Sequence, residues 1–357
     1  MTAGARARAD APEAAVFLHP SGPGFGHVRR MLAVAARLRD QGVAPVFVMG
    51  EDQEKTALVT AAGHRVATVA SPEGMVRAAA AGATTASGAV RQPVVVLDTR
   101  PPAPELVPRL QARGARVLVL DVPDLPGADL TVIPAIGHPD RPAAGVRAGA
   151  DFLVVDEAVC HARPELPPLA ERHGILITFG GLDPAGITFK ALAAVAPLAS
   201  MVPLHLVIGP QFAHAGEVRR RAADVRRTGN VLVHESPAGL APIMRRCGMA
   251  VTAFGITVHE LLCLGVPPLL VWNYPADAEA ATAVEARGCA LALGHHQEVT
   301  TSALTESARR LWLDSARREA MSAHGQDLVD GRGAERIAHL VLDLARNGGA
   351  GPQPSES

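Results

Sequence analysis

Aromatic residues make up only 3% of this 357-residue chain, with one tyrosine and two tryptophans, so its cores must be aliphatic. Lysine is confined to Lys55 and Lys190, and arginine supplies the rest of the positive charge. The formal net charge of −1 leaves no basic field for a nucleic-acid partner. The four cysteines (Cys160, Cys247, Cys263, Cys289) are far apart and form neither a CxxC nor a Cys/His ligand spacing. Buried thiols in a reducing, cytoplasmic setting are the expectation. No run approaches the ~18 apolar residues of a membrane span, and Met1–Pro12 lacks the apolar stretch of a secretion signal. Gly-Lys-Ser/Thr is missing, which excludes a Walker phosphate loop, and so is the G-x-S-x-G of a serine-hydrolase elbow. No Asp-x-Asp pair ends a strand to bridge a metal to a diphosphate, so no metal and no other cofactor is expected. His295-His296 with Glu298 reads as an exposed loop cluster.

What the chain does have is hydrophobic residues, 48% of the total, in a length that suits two domains. Short apolar runs such as Val94–Leu97 alternate with glycine-bearing turns and segments of helical periodicity. That rhythm predicts doubly wound parallel sheets with strands buried on both faces. It occurs twice, once on each side of a Pro-rich passage running from Arg163 to Gly174. The predicted organisation is a disordered start (1–13), a first Rossmann-like domain (14–165), a second (172–333), a last amphipathic helix (334–346) and a disordered tail (347–357). A ligand cleft between the two domains is expected.

Three strand-to-helix turns carry chemistry. In the second domain, the apolar strand ending at Thr252 runs into Ala-Phe254-Gly255-Ile256-Thr257 and then a helix. A small-residue turn lets a ligand approach the backbone, and the helix start offers unpaired N–H groups and a positive dipole end, which is an anion site. Glu260, one turn on, is placed to bond a sugar hydroxyl beside the phosphates. Gly180-Gly181-Leu-Asp183-Pro is a similar turn, whose backbone is expected to line the nucleotide; its plainer reading is a tight turn with an Asp cap. Gly209, which ends the next strand, is a candidate for bordering the base. In the first domain, Gly22-Pro-Gly24-Phe-Gly26-His27 departs from G-x-G-x-x-G, because His stands where the third Gly belongs. His27 at a helix start, in a glycine-rich turn, reads as a general base, the helix end favouring the neutral imidazole. Arg30, one turn later, reads equally as an ion-pair partner or a phosphate contact.

Taken together, Gly24-Phe-Gly-His27-Val-Arg-Arg30, Ile177-Thr-Phe-Gly-Gly-Leu-Asp-Pro184, Val207-Ile-Gly-Pro210, Phe254-Gly-Ile-Thr-Val-His-Glu260 through Pro267, and Asp330-Gly-Arg-Gly-Ala-Glu-Arg336 carry a resemblance. They resemble the UDP-sugar hydrolase family of pseudaminic acid biosynthesis and its spore-coat-polysaccharide glycosyltransferase-like relatives, within the GT-B superfamily. The resemblance spans about Val16–Arg346. It implies a GT-B fold, in which two Rossmann-like domains face a cleft and the last helix crosses back to the first domain. It also implies UDP bound by the second domain without metal. Residue by residue it implies His27 as catalytic base with Gly26 as its turn and Arg30 beside it. Gly255, Ile256 and Thr257 would hold the diphosphate, Glu260 the ribose, and Gly180, Gly181 and Asp183 the cleft-lining turn. The chain departs from the hydrolase at two sugar-facing places, with Asp98-Thr99-Arg100 for its Asp-x-Tyr and Asn273-Tyr274 for its Asn-Gln.

The expectation that follows is a metal-independent glycosyltransferase using a UDP-sugar donor and a small-molecule acceptor, which Arg100 is placed to recognise if that acceptor is acidic or phosphorylated. A UDP-sugar hydrolase with water as nucleophile is the alternative. A non-catalytic nucleotide-sugar-binding protein is the rival from another class.

Overall fold

The computed structural model describes residues 15–22, 25–81, 92–123, 125–138 and 140–346. The ends expected to be disordered (1–13 and 347–357), and Gly24 of the first glycine turn, lie outside the described residues. The chain forms two compact units, Met1–Val154 with Arg332–Ser357, and Val155–Gly331.

The first unit is built on a seven-stranded parallel sheet. Its strands are β1 (Val16–Ser21), β2 (Val46–Met49), β3 (Arg65–Thr68), β4 (Val94–Thr99), β5 (Arg116–Leu120), β6 (Leu130–Ile133) and β7 (Val146–Ala148), in the order β3-β2-β1-β4-β5-β6-β7. β4 is buried along its whole length, as a strand covered on both faces must be. Helix Gly26–Asp40 lays Val28, Met31, Val34, Ala35 and Leu38 on one face of the sheet, and the last helix, Gly333–Arg346, adds Ile337, Ala338, Val341 and Leu342 to the same core. Gly333 makes that return possible, since a Cβ there would meet the Leu153 carbonyl oxygen at 2.1 Å.

The second unit carries a six-stranded parallel sheet in the order β10-β9-β8-β11-β12-β13. These strands are β8 (Gly174–Thr178), β9 (Leu204–Ile208), β10 (Val231–Glu235), β11 (Cys247–Thr252), β12 (Pro268–Trp272) and β13 (Leu291–His295). In each sheet the winding reverses between two central neighbours, β1 and β4 in one and β8 and β11 in the other. In open α/β sheets the carboxyl ends of such strands are where ligands bind.

Two details differ from the sequence expectation. Val146–Ala148 forms an extra edge strand, too short for periodicity to announce, paired to β6 by register Val132↔Arg147. The units part at Val154, ahead of the Pro-rich passage expected as the linker. Arg163 and Arg172 account for this. Arg163 donates to the carbonyls of Cys263 (3.2 Å), Gln326 (2.8 Å) and Val329 (2.5 Å), and Arg172 to that of Leu264 (2.6 Å), so the passage is fastened to the second unit.

Candidate active site

In the first unit, β1 and β4 run side by side with Pro20 opposite Asp98 and Ser21 opposite Thr99. Their ends deliver the β1 turn and Asp98-Thr99-Arg100 to one place. His27 is the second residue of helix Gly26–Asp40, whose N-cap residue Phe25 supplies no side-chain cap. Its Nδ1 lies 2.7 Å from Asp98 Oδ1. Asp98 is fully buried and receives two further bonds from Arg30, Nε to Oδ2 at 2.9 Å and Nη2 to Oδ1 at 2.5 Å. Burial alone would raise the Asp98 pKa. The hydrogen bonds from His27 and Arg30, with the Arg30 charge, outweigh it and hold the carboxyl below its ordinary range. Arg30 answers in kind: burial opposes its charge, but Asp98 and then Asp121 raise its pKa.

Two sequence expectations change here. Asp98 was expected among the sugar or acceptor contacts, yet both its oxygens are turned to His27 and Arg30 and none of it is exposed. Arg30, open between ion pair and phosphate contact, is an ion-pair partner with a side chain 13% exposed. Gly26 opens the helix, as expected of the turn. Arg100 does reach the surface, its side chain 62% exposed.

Two participants escaped the sequence reading. Asp121 follows β5 with φ 60° and places Oδ2 3.4 Å from both Arg30 and Arg100. Its signal was an acidic residue closing an apolar strand, but strand order was needed to show that β5 lies next to β4. Lys55 donates to the Gly22 carbonyl at 3.1 Å and pairs with Asp52, also at 3.1 Å, bracing the turn beside His27.

In the second unit the turns after β8, β9, β11 and β12 share one sheet edge. Gly180 needs its φ of 75°, and Gly209 packs on that turn so closely that a Cβ would meet the carbonyl oxygens of Gly180 and Gly181 at 2.6 Å. Gln211 N–H completes the contact with the Gly181 carbonyl at 3.0 Å. Asp183 points away from this surface. It is buried and accepts from the N–H groups of Ile187 and Thr188, each at 2.9 Å, so it caps helix Ile187–Val195. The capping reading replaces the nucleotide-lining one for Asp183.

The helix Ile256–Cys263 contrasts with it. Its N-cap is Gly255 at φ 157° and ψ −168°, a conformation essentially reserved for glycine, and no side chain caps the helix. Its first N–H groups have no intrahelical partners. One helix start on this edge is therefore satisfied by a carboxylate and the other has no side-chain cap. Phe254 sets its ring edge-on to His259 at 6.2 Å, Thr257 and Glu260 are half-buried, and Ile256 is exposed. Asn273 lies half-buried after β12 with Oδ1 buried and unpartnered, while its carbonyl accepts from His295 Nε2 at 2.9 Å. Tyr274, the chain's single tyrosine, is 59% exposed. Among the described residues no group of three or more His, Cys, Asp or Glu is placed to hold a metal, and no helix is long and apolar enough to cross a membrane.

No protein-family model matches the chain. Over 202 residues it is 29% identical to the spore coat polysaccharide biosynthesis protein SpsG of Bacillus subtilis, a match that takes in 55% of this chain and 58% of SpsG. It thus spans little more than half the length of that relative. MurG of Acinetobacter baumannii superposes with a TM-score of 0.66 at 16% identity, covering 93% of this chain and 100% of MurG. Anabaena HepE, solved in complex with UDP and glucose, superposes with a TM-score of 0.59 at 12% identity, again covering 93% and 100%. The two parallel sheets of seven and six strands, wound about β1/β4 and β8/β11, are the GT-B fold, and over the matched stretch the chain is a homologue of SpsG.

Proposed function

We propose that this protein is a metal-independent glycosyltransferase that uses a UDP-sugar. The observation that carries the reading is the His27–Asp98 contact at 2.7 Å, at the end of a sheet of this fold. With Asp98 accepting from Nδ1–H, the imidazole is fixed in the tautomer whose Nε2 carries the lone pair. Nε2 then takes the proton from an acceptor hydroxyl as that oxygen attacks the anomeric carbon. The bond from that carbon to the phosphate oxygen breaks, and UDP leaves with the electron pair. The uncapped N–H groups at Ile256 and Thr257, with the dipole of their helix, stabilise the charge that develops on the diphosphate. Glu260, on the same helix, holds the ribose. HepE was solved with UDP and glucose, which supports a UDP-sugar as donor, and SpsG points to polysaccharide biosynthesis as the setting.

The test is to incubate the pure protein with a panel of UDP-sugars, with and without candidate acceptors, and follow UDP, free sugar and glycosylated product. UDP release that depends on acceptor, and that falls ~10²–10⁴-fold in His27→Ala while UDP binding persists, is the expected result. Rapid release of UDP with an equal amount of free sugar and no acceptor would make water the nucleophile and the protein a hydrolase. Unchanged biological activity in His27→Ala would make it a binding protein.

A further inference from the structure

Three cations stand around His27, and the structure treats them differently. Arg30 is mostly covered, its side chain 13% exposed, and is held by Asp98. Lys55 is held by the Gly22 carbonyl and Asp52. Arg100 alone of the three presents most of its side chain to solvent, and its one side-chain partner among the described residues is Asp121 Oδ2 at 3.4 Å, too long for a strong bond. Asp121 is itself shared with Arg30. The Arg100 backbone, in contrast, is firmly placed, its N–H bonded to the Ser21 carbonyl at 2.7 Å.

The position of Gly22 fixes how near Arg100 is to the base. A Cβ built on Gly22 would lie 2.8 Å from His27 Nε2 and 3.4 Å from Arg100 Cβ. The two side chains therefore flank a single glycine. A planar fork of N–H donors suits a carboxylate or a phosphate.

We infer that the acceptor of the proposed transfer carries an anionic group, carboxylate or phosphate, close to the reacting hydroxyl, and that Arg100 binds it. Asp121 is the positioning residue: it holds the guanidinium loosely, at 3.4 Å, and yields it when the anion arrives. This rests on the proposed transferase reading for the word acceptor. The anion site at Arg100 is tested without catalysis.

The first experiment follows the His27 ring resonances by NMR while inorganic phosphate and, separately, acetate are added to the full chain. A saturable shift, lost or weakened at least tenfold in Arg100→Ala and partly kept in Arg100→Lys, is expected. The stronger of the two anions distinguishes a phosphorylated from a carboxylated acceptor. An equal shift in Arg100→Ala, or none in the wild type, overturns the site. The second experiment compares glucose with glucose 6-phosphate and with glucuronic acid as acceptors. The anionic acceptor should be preferred in kcat/KM, and Arg100→Ala should erase a preference of about 10–30-fold chiefly through KM, bringing the anionic acceptor down to the level of the neutral sugar. Asp121→Asn should loosen the parked guanidinium and alter the anion's affinity by several-fold without abolishing turnover of the neutral acceptor. Equal use of anionic and neutral acceptors by the wild type overturns the inference while leaving transfer intact. An absence of any UDP release, with anion binding at Arg100 preserved, counts against the transferase reading instead.

Discussion

Asp98 lies wholly inside the first unit, yet its Oδ1 is 2.7 Å from the ring nitrogen of His27, a residue 14% exposed. A buried anion holds a largely buried imidazole by Nδ1 and leaves Asp98 no contact with Nε2. Arg30, bonded to both oxygens, keeps that carboxylate charged where burial would otherwise neutralise it.

Replacing the carboxylate with an amide tests this arrangement. Asp98→Asn keeps the shape, but its amide can present N–H as readily as C=O to Nδ1 and loses the fixed tautomer. Turnover should fall by about 10²–10⁴, with the donor's KM little changed. Arg30 loses its close counter-ion, keeping Asp121 at 3.4 Å, and the unfolding free energy should drop by about 3 kcal/mol. Steady-state kinetics and denaturant titration, both at a temperature where the variant is folded by circular dichroism, read the two effects. A variant with wild-type turnover would remove Asp98 from the mechanism.

Gly255→Ala addresses the open helix start. A Cβ there meets nothing within 4 Å, so any effect comes from the backbone conformation, which alanine adopts at a cost of about 1–3 kcal/mol, and from a methyl group intruding on the anion's approach. UDP affinity measured by calorimetry should fall at least tenfold. The Asp183-capped helix offers the comparison: Asp183→Ala should cost about 1 kcal/mol of stability with a smaller effect on UDP.

Gly209→Ala should act through the neighbouring turn. The new methyl group would lie 2.6 Å from two carbonyl oxygens, so the Gly180-Gly181 turn must move, costing about 1–3 kcal/mol and lowering UDP affinity as well. Gly216→Ala, where a Cβ meets nothing within 4 Å inside helix Ala215–Val225, should instead raise stability by about 0.5–1 kcal/mol. Thermal melts with and without UDP distinguish the two.

His205 sets an acid limit on the second unit. It stacks on His234 with ring centroids 5.3 Å apart, and burial, then the charges of His234 and Arg246, push its pKa down to about 4 from 6.5. The unfolded chain therefore takes up a proton that the folded chain refuses. Stability contributed by the neutral ring is complete above pH 6.5 and is lost between pH 6.5 and about 4, with a slope approaching 1.4 kcal/mol per pH unit. Below that, protonation of Asp98, whose pKa is lowered by folding, removes a further contribution. His205→Gln should flatten the upper part of the curve in urea titrations at successive pH values. An unchanged slope would mean that the pair does not control acid stability.

The sequence alone determined the two parallel sheets, because runs buried on both faces and glycine turns before helices are local patterns that no other arrangement satisfies as well. It also located the uncapped helix start at Gly255–Thr257 and His27 at the start of its own helix, since each depends on the few residues around a strand end. Tertiary structure decided the partners. That Asp98 serves His27, that Asp121 ties Arg30 to Arg100, and that Gly209 closes on Gly180-Gly181 all depend on which strands become neighbours, and a parallel sheet joins residues 21 to 91 positions apart at a single edge. Asp183 shows the converse. Its motif fits a nucleotide turn and a helix cap equally well, and only the two N–H groups within 2.9 Å of its carboxylate settle which role it has.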